Sequence, residues 1–187
     1  MLKKILLLSL ISSCALAETR VYFSPNGDCE KNAINLVNKT TKQLDIAMYS
    51  FNNDHLMDAV KQAQSRGVTV RILLDRSQAY KNDDETLNLV DSKIDLKIHS
   101  INRIQHNKFV VSDQKEVMTG SFNWTDAAQD FNEENCLFLD DPKIVNVYQK
   151  QFDNHLWKVN IQDKSQNTIR KIREKLGENN GDALQNN

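Results

Sequence analysis

The sequence predicts an α/β domain built on a mixed, mostly parallel sheet flanked by helices on both faces, and three observations carry that expectation. Apolar runs of strand length alternate with segments whose apolar residues recur at helical spacing, in the order βαβαβαβ as far as Ile98. The 187 residues are 40% hydrophobic and 26% charged, which suits one domain with a real core and leaves little room for a second. Five glycines, two prolines and no fixed-period repeat exclude collagen-like, low-complexity and solenoid architectures.

The chain opens on a segment outside the fold. Lys3 and Lys4 precede an apolar run from Ile5 to Ile11, and Ala15-Leu16-Ala17 offers small residues for cleavage, so residues 1–17 read as a secretory signal peptide. Ile11-Ser12-Ser13-Cys14 also resembles the box at which bacterial lipoproteins are cut and acylated, which would give an envelope-attached rather than a soluble periplasmic form. No later run reaches the ~18 apolar residues that a bilayer requires.

Residues 18–157 form the expected domain. Arg20 to Ser24 reads as a strand, and Pro25-Asn26-Gly27-Asp28 as a turn whose aspartate can cap the next helix, which carries Ala33, Ile34 and Val37. Leu44 to Tyr49 is a buried strand. The following helix places Leu56, Ala59, Val60 and Ala63 on one face and ends at Gly67. Val68 to Leu74 is the next strand; the polar stretch Lys81 to Glu85 leads into a short helix through Leu87 and Val90, and Leu96 to Ile98 forms a short strand.

The rhythm then changes. Ile104 to Val111 and Glu116 to Thr119 can pair as a hairpin around Ser112-Asp113-Gln114, and Cys136 to Leu139 adds a strand. Asp140 and Pro142 provide a cap and first turn for a helix bearing Ile144, Val145, Tyr148, Phe152 and Leu156. Residues 158–187 form a polar tail with one short basic helix, in which Ile169, Ile172 and Leu176 share a face. The tail either docks lightly on the domain or makes a basic contact with nucleic acid or anionic lipid.

Charge and cysteine content narrow the chemistry. With 24 basic residues against 25 acidic ones the molecule has no bulk attraction for a polyanion, and loss of Lys3 and Lys4 with the signal peptide leaves 22 against 25. Any phosphate or nucleic-acid site is therefore a local patch. Cys29 and Cys136 remain in an oxidising compartment after export, where they are either a disulfide or two buried thiols. No Cys or His pair has zinc spacing, and the clusters Asp83-Asp84-Glu85 and Glu133-Glu134 suit a solvated helix start and an orienting carboxylate better than a hard cation. Neither a metal nor a cofactor is expected.

The informative stretch is His106-Asn107-Lys108-Phe109-Val110-Val111-Ser112-Asp113, followed by Gly120-Ser121-Phe122-Asn123. In a strand His106 and Lys108 project together, which sets a base or nucleophile beside a fixed cation. Gly120 allows close backbone approach, and Ser121 and Asn123 can add hydrogen-bond donors. A cation and neutral donors around an imidazole are what phosphoryl transfer requires, because its catalysis is mainly positioning and charge stabilisation.

His-x-Lys, four residues, Asp, six residues, Gly-Ser-x-Asn resembles the signature of the phospholipase D superfamily at every defined position. From about residue 20 to 157 the chain looks like the small bacterial Nuc-type endonucleases of that family; mitochondrial members acting on cardiolipin or RNA are more distant kin. The resemblance implies that His106 attacks phosphorus to give a phosphohistidine, and that a second histidine protonates the leaving oxygen. Lys108 and Asn123 would hold the non-bridging oxygens, with Ser121 supporting the pocket. Glu134 would orient a histidine. The family places Asp113 near the site as well, while its position at the hairpin turn suits it to bracing the turn or the lysine.

Two histidines are needed and the chain carries one motif. His55, His99 and His155 have no Lys two positions on, so the second copy is expected from another chain in a two-fold homodimer with a shared site. Phe122 and Trp124 flank Asn123 and either stack on unpaired bases or belong to the core. Net acidity favours single-stranded DNA over duplex, with RNA also possible as substrate, and nothing resembles a base-reading helix. The expected function is thus an exported, metal-independent endonuclease. The alternatives are a phospholipase using the same pocket and a non-catalytic nucleic-acid-binding dimer in DNA uptake.

Overall fold

The computed structural model describes residues 17–92, 94–99, 103–158 and 162–177; the expected signal peptide up to residue 16, with Cys14, lies outside the described residues. The elements in chain order are β1 (Thr19–Ser24), α1 (Cys29–Lys39), β2 (Gln43–Met48), α2 (Asp54–Ser65), β3 (Thr69–Leu74), α3 (Arg76–Lys81), α4 (Asp83–Asp91), β4 (Asp95–Ile98), β5 (Lys108–Ser112), β6 (Glu116–Gly120), α5 (Asp126–Asp130), β7 (Glu134–Leu139), α6 (Pro142–Lys150), a π-helical segment (Gln151–Trp157) and α7 (Gln162–Lys175).

The strands form one seven-stranded sheet in the order β1-β7-β6-β5-β2-β3-β4. The α/β class holds, but the sheet is mostly antiparallel rather than mostly parallel. Only β2–β3 and β3–β4 run parallel, because α2 and then α3 with α4 supply the crossovers that parallel pairing needs. β5 turns straight back into β6, the short α5 connection returns β7 against β6, and β1 closes the edge against β7, all antiparallel.

Strand alternation divides the core into two layers. Leu44, Ile46 and Met48 of β2 and Val110 of β5 face α1 and α2, whereas Ala47, Phe109 and Val111 face Val145, Phe152 and Leu156 of α6 and the π-helical segment. Fully buried Asp45 lies on this second face. Arg71 grips it through two hydrogen bonds of 2.7 and 2.8 Å and binds Asp153 at 2.7 Å, so the charge is paired rather than stranded. Cys29 and Cys136, both buried, form a disulfide between the start of α1 and β7.

Several local expectations change. Asp28 makes no side-chain cap on α1. Asp141, not Asp140, caps α6 by accepting from the Lys143 amide at 2.7 Å, while Asp140 accepts from the Glu18 amide. The tail helix, α7, packs Ile169 and Ile172 into the main core against β4 and α4, and Arg173 pairs with Asp91. Docking is therefore its structural role.

Candidate active site

Register brings the motif together at one end of the sheet. Met48 of β2 pairs with Lys108 of β5, and Gly120 of β6 with Cys136 of β7, so the ends of β2 and β6 meet the starts of β5 and β7. β5 begins at Lys108, so His106 precedes the strand, and alternation is not what joins the two residues. Tyr49, just past β2, does so. Its ring centroid lies 4.5 Å from that of exposed His106, and the Lys108 ammonium stands 5.0 Å from the same ring. Lys108 Nζ also donates to the His106 carbonyl at 2.9 Å.

The His106 segment is held from below by α3. The Gln105 amide donates to Asp75 Oδ2 at 2.9 Å, and Gln105 Oε1 accepts from the Asn107 amide at 2.7 Å and from Asn107 Nδ2 at 2.9 Å. Asp75 meanwhile caps α3 through the Ser77 amide, and Gln78 Nε2 donates to the Tyr49 hydroxyl at 3.0 Å. Both Asp75 and Gln105 are buried. A helix cap, a buried amide and an aromatic ring thus position the imidazole.

Burial pushes the Lys108 ammonium below the ordinary lysine range, and the Glu134 carboxylate works in the opposite direction. Glu134 itself accepts from Asn132 Nδ2 at 3.1 Å. Ser121 turns toward β7: its Oγ accepts from the Asn135 amide at 3.0 Å, and its own amide donates to Asn135 Oδ1 at 2.9 Å. Gly120 is required before it, since its φ is +148° and a Cβ would stand 2.2 Å from the Asn135 carbonyl oxygen. Asn123 is partly buried, and its Oδ1 has no partner among the described residues. The Trp124 carbonyl accepts from the Asn52 and Asn53 amides, which pins this segment to the loop after β2.

Two readings left open by the sequence narrow at this site. Asp113 sits at the opposite end of β5 from Lys108, where its carboxylate accepts from the Thr41, Lys42 and Gln43 amides, which is the turn-bracing alternative. Phe122 and Trp124 are 2% and 0% exposed, so neither offers a face to a base. Tyr49, Asp75 and Gln105 were not anticipated; an aspartate at the end of an apolar strand was the one visible signal, and Gln105 carried none. Of the other histidines, His55 pairs with Glu30 at 2.9 Å and His99 is buried. Among the described residues no group of three or more His, Cys, Asp and Glu side chains converges as a metal site would.

Residues 33–157 match the family model described as cardiolipin synthase, PLD-like domain. The phospholipase D of Rickettsia conorii is 34% identical over 144 residues, which is 77% of this chain and 72% of that protein. The mitochondrial cardiolipin hydrolase of Xenopus tropicalis is 32% identical over 145 residues, 78% of this chain and 65% of that protein. Among solved structures, the phospholipase D family member Nuc from Salmonella typhimurium matches with a TM-score of 0.73 at 27% identity, covering 78% of this chain and 97% of Nuc. NucT from Helicobacter pylori shares the fold, with a TM-score of 0.68 at 23% identity over 75% of this chain and 96% of NucT.

Proposed function

The chain belongs to the phospholipase D superfamily and is a phosphodiesterase of that kind, and from this premise we propose that it is an exported endonuclease that cleaves nucleic acid, single-stranded DNA above all, with little sequence preference. The observation that carries the reading is the Tyr49-centred grouping of His106 and Lys108 in a chain that covers nearly all of Nuc.

In this reading a ring nitrogen of His106 attacks phosphorus and forms a P–N bond as the P–O bond to the leaving group breaks. The His106 of a second copy of the chain, starting as imidazolium, gives its proton to the departing oxygen. It then takes a proton from water as that water attacks phosphorus, the P–N bond breaks, and both histidines return to their starting states. Lys108 stabilises the charge on the non-bridging oxygens, and partial burial strengthens that interaction. Asn123 adds a donor, Ser121 fixes the strand ends around it, and Glu134 steadies the cationic site. No metal or cofactor enters the cycle. The two-fold dimer follows from the need for two imidazoles when each chain supplies one motif.

A second reading, a lipid phosphodiesterase on the same machinery, is supported by the relatives named phospholipase D and mitochondrial cardiolipin hydrolase. Incubation with single-stranded DNA, duplex DNA, RNA and cardiolipin in excess EDTA, alongside His106→Ala, separates the two. Nucleic-acid cleavage that survives EDTA and is lost in the variant supports the nuclease. Turnover of cardiolipin alone supports the lipase, and binding without turnover overturns both.

A further inference from the structure

Two grooves open at the motif end of the sheet, on opposite sides of His106 and Lys108, and they differ in charge. One, of about 700 Å³ beside β1 and β7, is lined by Phe23, Asn26, Ser121, Glu133 and Glu134 among others. The other, of about 310 Å³ beyond β3, is lined by Asp75, Arg76, Ser77, Arg103 and Ile104. A strand bound with one phosphate at His106 that continues along this chain carries its next phosphate toward one groove or the other. On the first side it meets two carboxylates, on the second two guanidiniums.

The second groove is built for the anion. Arg76 and Arg103 are both exposed, and neither forms an ion pair among the described residues. Asp75, which also lines the groove, offsets only one of the two charges, and its two oxygens already accept from Ser77 and from the Gln105 amide. The groove is also continuous with the catalytic group. Arg103 and Ile104 run directly into Gln105 and His106, and Gln78, two residues after Arg76 on α3, holds the Tyr49 ring against the imidazole.

We infer that the groove between Arg76 and Arg103 binds the phosphate adjacent to the scissile one, so that the nucleic-acid strand runs from His106 toward β3. The planar guanidiniums suit a phosphate better than lysines would, because each can give paired hydrogen bonds. The acidic groove is left for an uncharged part of the substrate. This assignment deepens the nuclease reading and rests on it.

The test compares the full chain with Arg76→Gln/Arg103→Gln and Arg76→Lys/Arg103→Lys on three substrates: a single-stranded oligonucleotide, bis-p-nitrophenyl phosphate, which has one phosphate, and cardiolipin vesicles. The expected result for the glutamine pair is a fall of about tenfold in kcat/KM on the oligonucleotide relative to bis-p-nitrophenyl phosphate, carried by KM. The salt dependence on the oligonucleotide should become shallower, and the lysine pair should recover part of the loss. An unchanged ratio of the two activities in the glutamine pair overturns the subsite, even where wild-type cleavage and His106→Ala inactivity sustain the nuclease. A loss confined to cardiolipin overturns it in favour of a lipid phosphate. Wild-type turnover of bis-p-nitrophenyl phosphate without oligonucleotide cleavage overturns the nuclease reading itself, and the subsite with it.

Discussion

The Tyr49 ring lies 4.5 Å from the His106 imidazole at an interplanar angle of 60°, with its hydroxyl held by Gln78 on α3. Tyr49 is a positioning residue: it reaches phosphorus only through the histidine that it orients. Tyr49→Phe keeps the ring and should retain most of kcat, whereas Tyr49→Ala should lower kcat by about 10- to 100-fold, the scale of a small misplacement of a reacting group. Steady-state kinetics decides; equal losses in the two variants would show that the hydroxyl, not the ring, matters.

Beyond the decline set by loss of the imidazolium acid, a further decline on the alkaline side of the pH profile reports on Lys108. Its ammonium must be charged to hold a phosphate oxygen, and burial lowers its pKa, so activity should decline below the ordinary lysine range as pH rises. Glu134 raises that pKa. Glu134→Gln removes the opposing carboxylate and should move the decline to lower pH. Profiles of kcat/KM for both proteins check this; a Glu134 that only orients histidine would lower the profile without moving this limb.

Asp113 should matter for folding and not for turnover. It sits at the hairpin turn with φ of +50° and accepts four hydrogen bonds from Thr41, Lys42 and Gln43, three of them from backbone amides, and these hold its carboxyl down to about 2. Because the folded pKa is depressed, the contribution to stability is complete above the ordinary carboxylate value and is lost as pH falls toward about 2. Asp113→Asn should destabilise the protein by roughly 1–3 kcal/mol near neutral pH with kcat unchanged, and the difference should vanish in acid. Urea unfolding across pH, paired with activity, measures both parts.

The contrast between Asp113 and Tyr49 shows what the sequence makes legible. Local periodicity located every strand, because strand geometry is set by near neighbours, and the match of a fixed spacing to a family signature picked out His106, Lys108, Gly120, Ser121 and Asn123. Tyr49 stands 57 positions before His106 and Asp75 30 before Gln105, so their partnerships depend on sheet order, which has no local signature. The same gap explains the sheet's direction: alternating elements suggested parallel strands, while the β5–β6 hairpin and the edge pairing of β1 with β7 made most neighbours antiparallel. α3 escaped notice because it buries a single apolar residue, Ala79. Phe122 and Trp124 flank Asn123, yet both are buried, Trp124 against Phe51 at 5.1 Å. Sequence adjacency to a site residue did not imply exposure.

The Cys29–Cys136 disulfide links compartment to stability. It closes a separation of 107 residues and ties α1 to β7, two residues from Glu134. In the chain-entropy account a loop of that size restricts the unfolded state enough to stabilise the fold by about 2–5 kcal/mol. Cys29→Ser/Cys136→Ser should therefore lower the unfolding free energy obtained from urea titration by an amount in that range, and reductant should do the same to wild type but not to the variant. An exported protein carries the bridge in its host, since a reducing cytosol would leave two thiols. Thiol counting on unfolded mature protein from native cells tests this: two free thiols from Cys29 and Cys136 would contradict export, and none would agree with it. Both cysteines are fully buried, so reduction requires at least local opening of the core. Activity should consequently fall together with unfolding as reductant acts, and loss of activity ahead of unfolding would place the bridge in control of the site rather than of the fold.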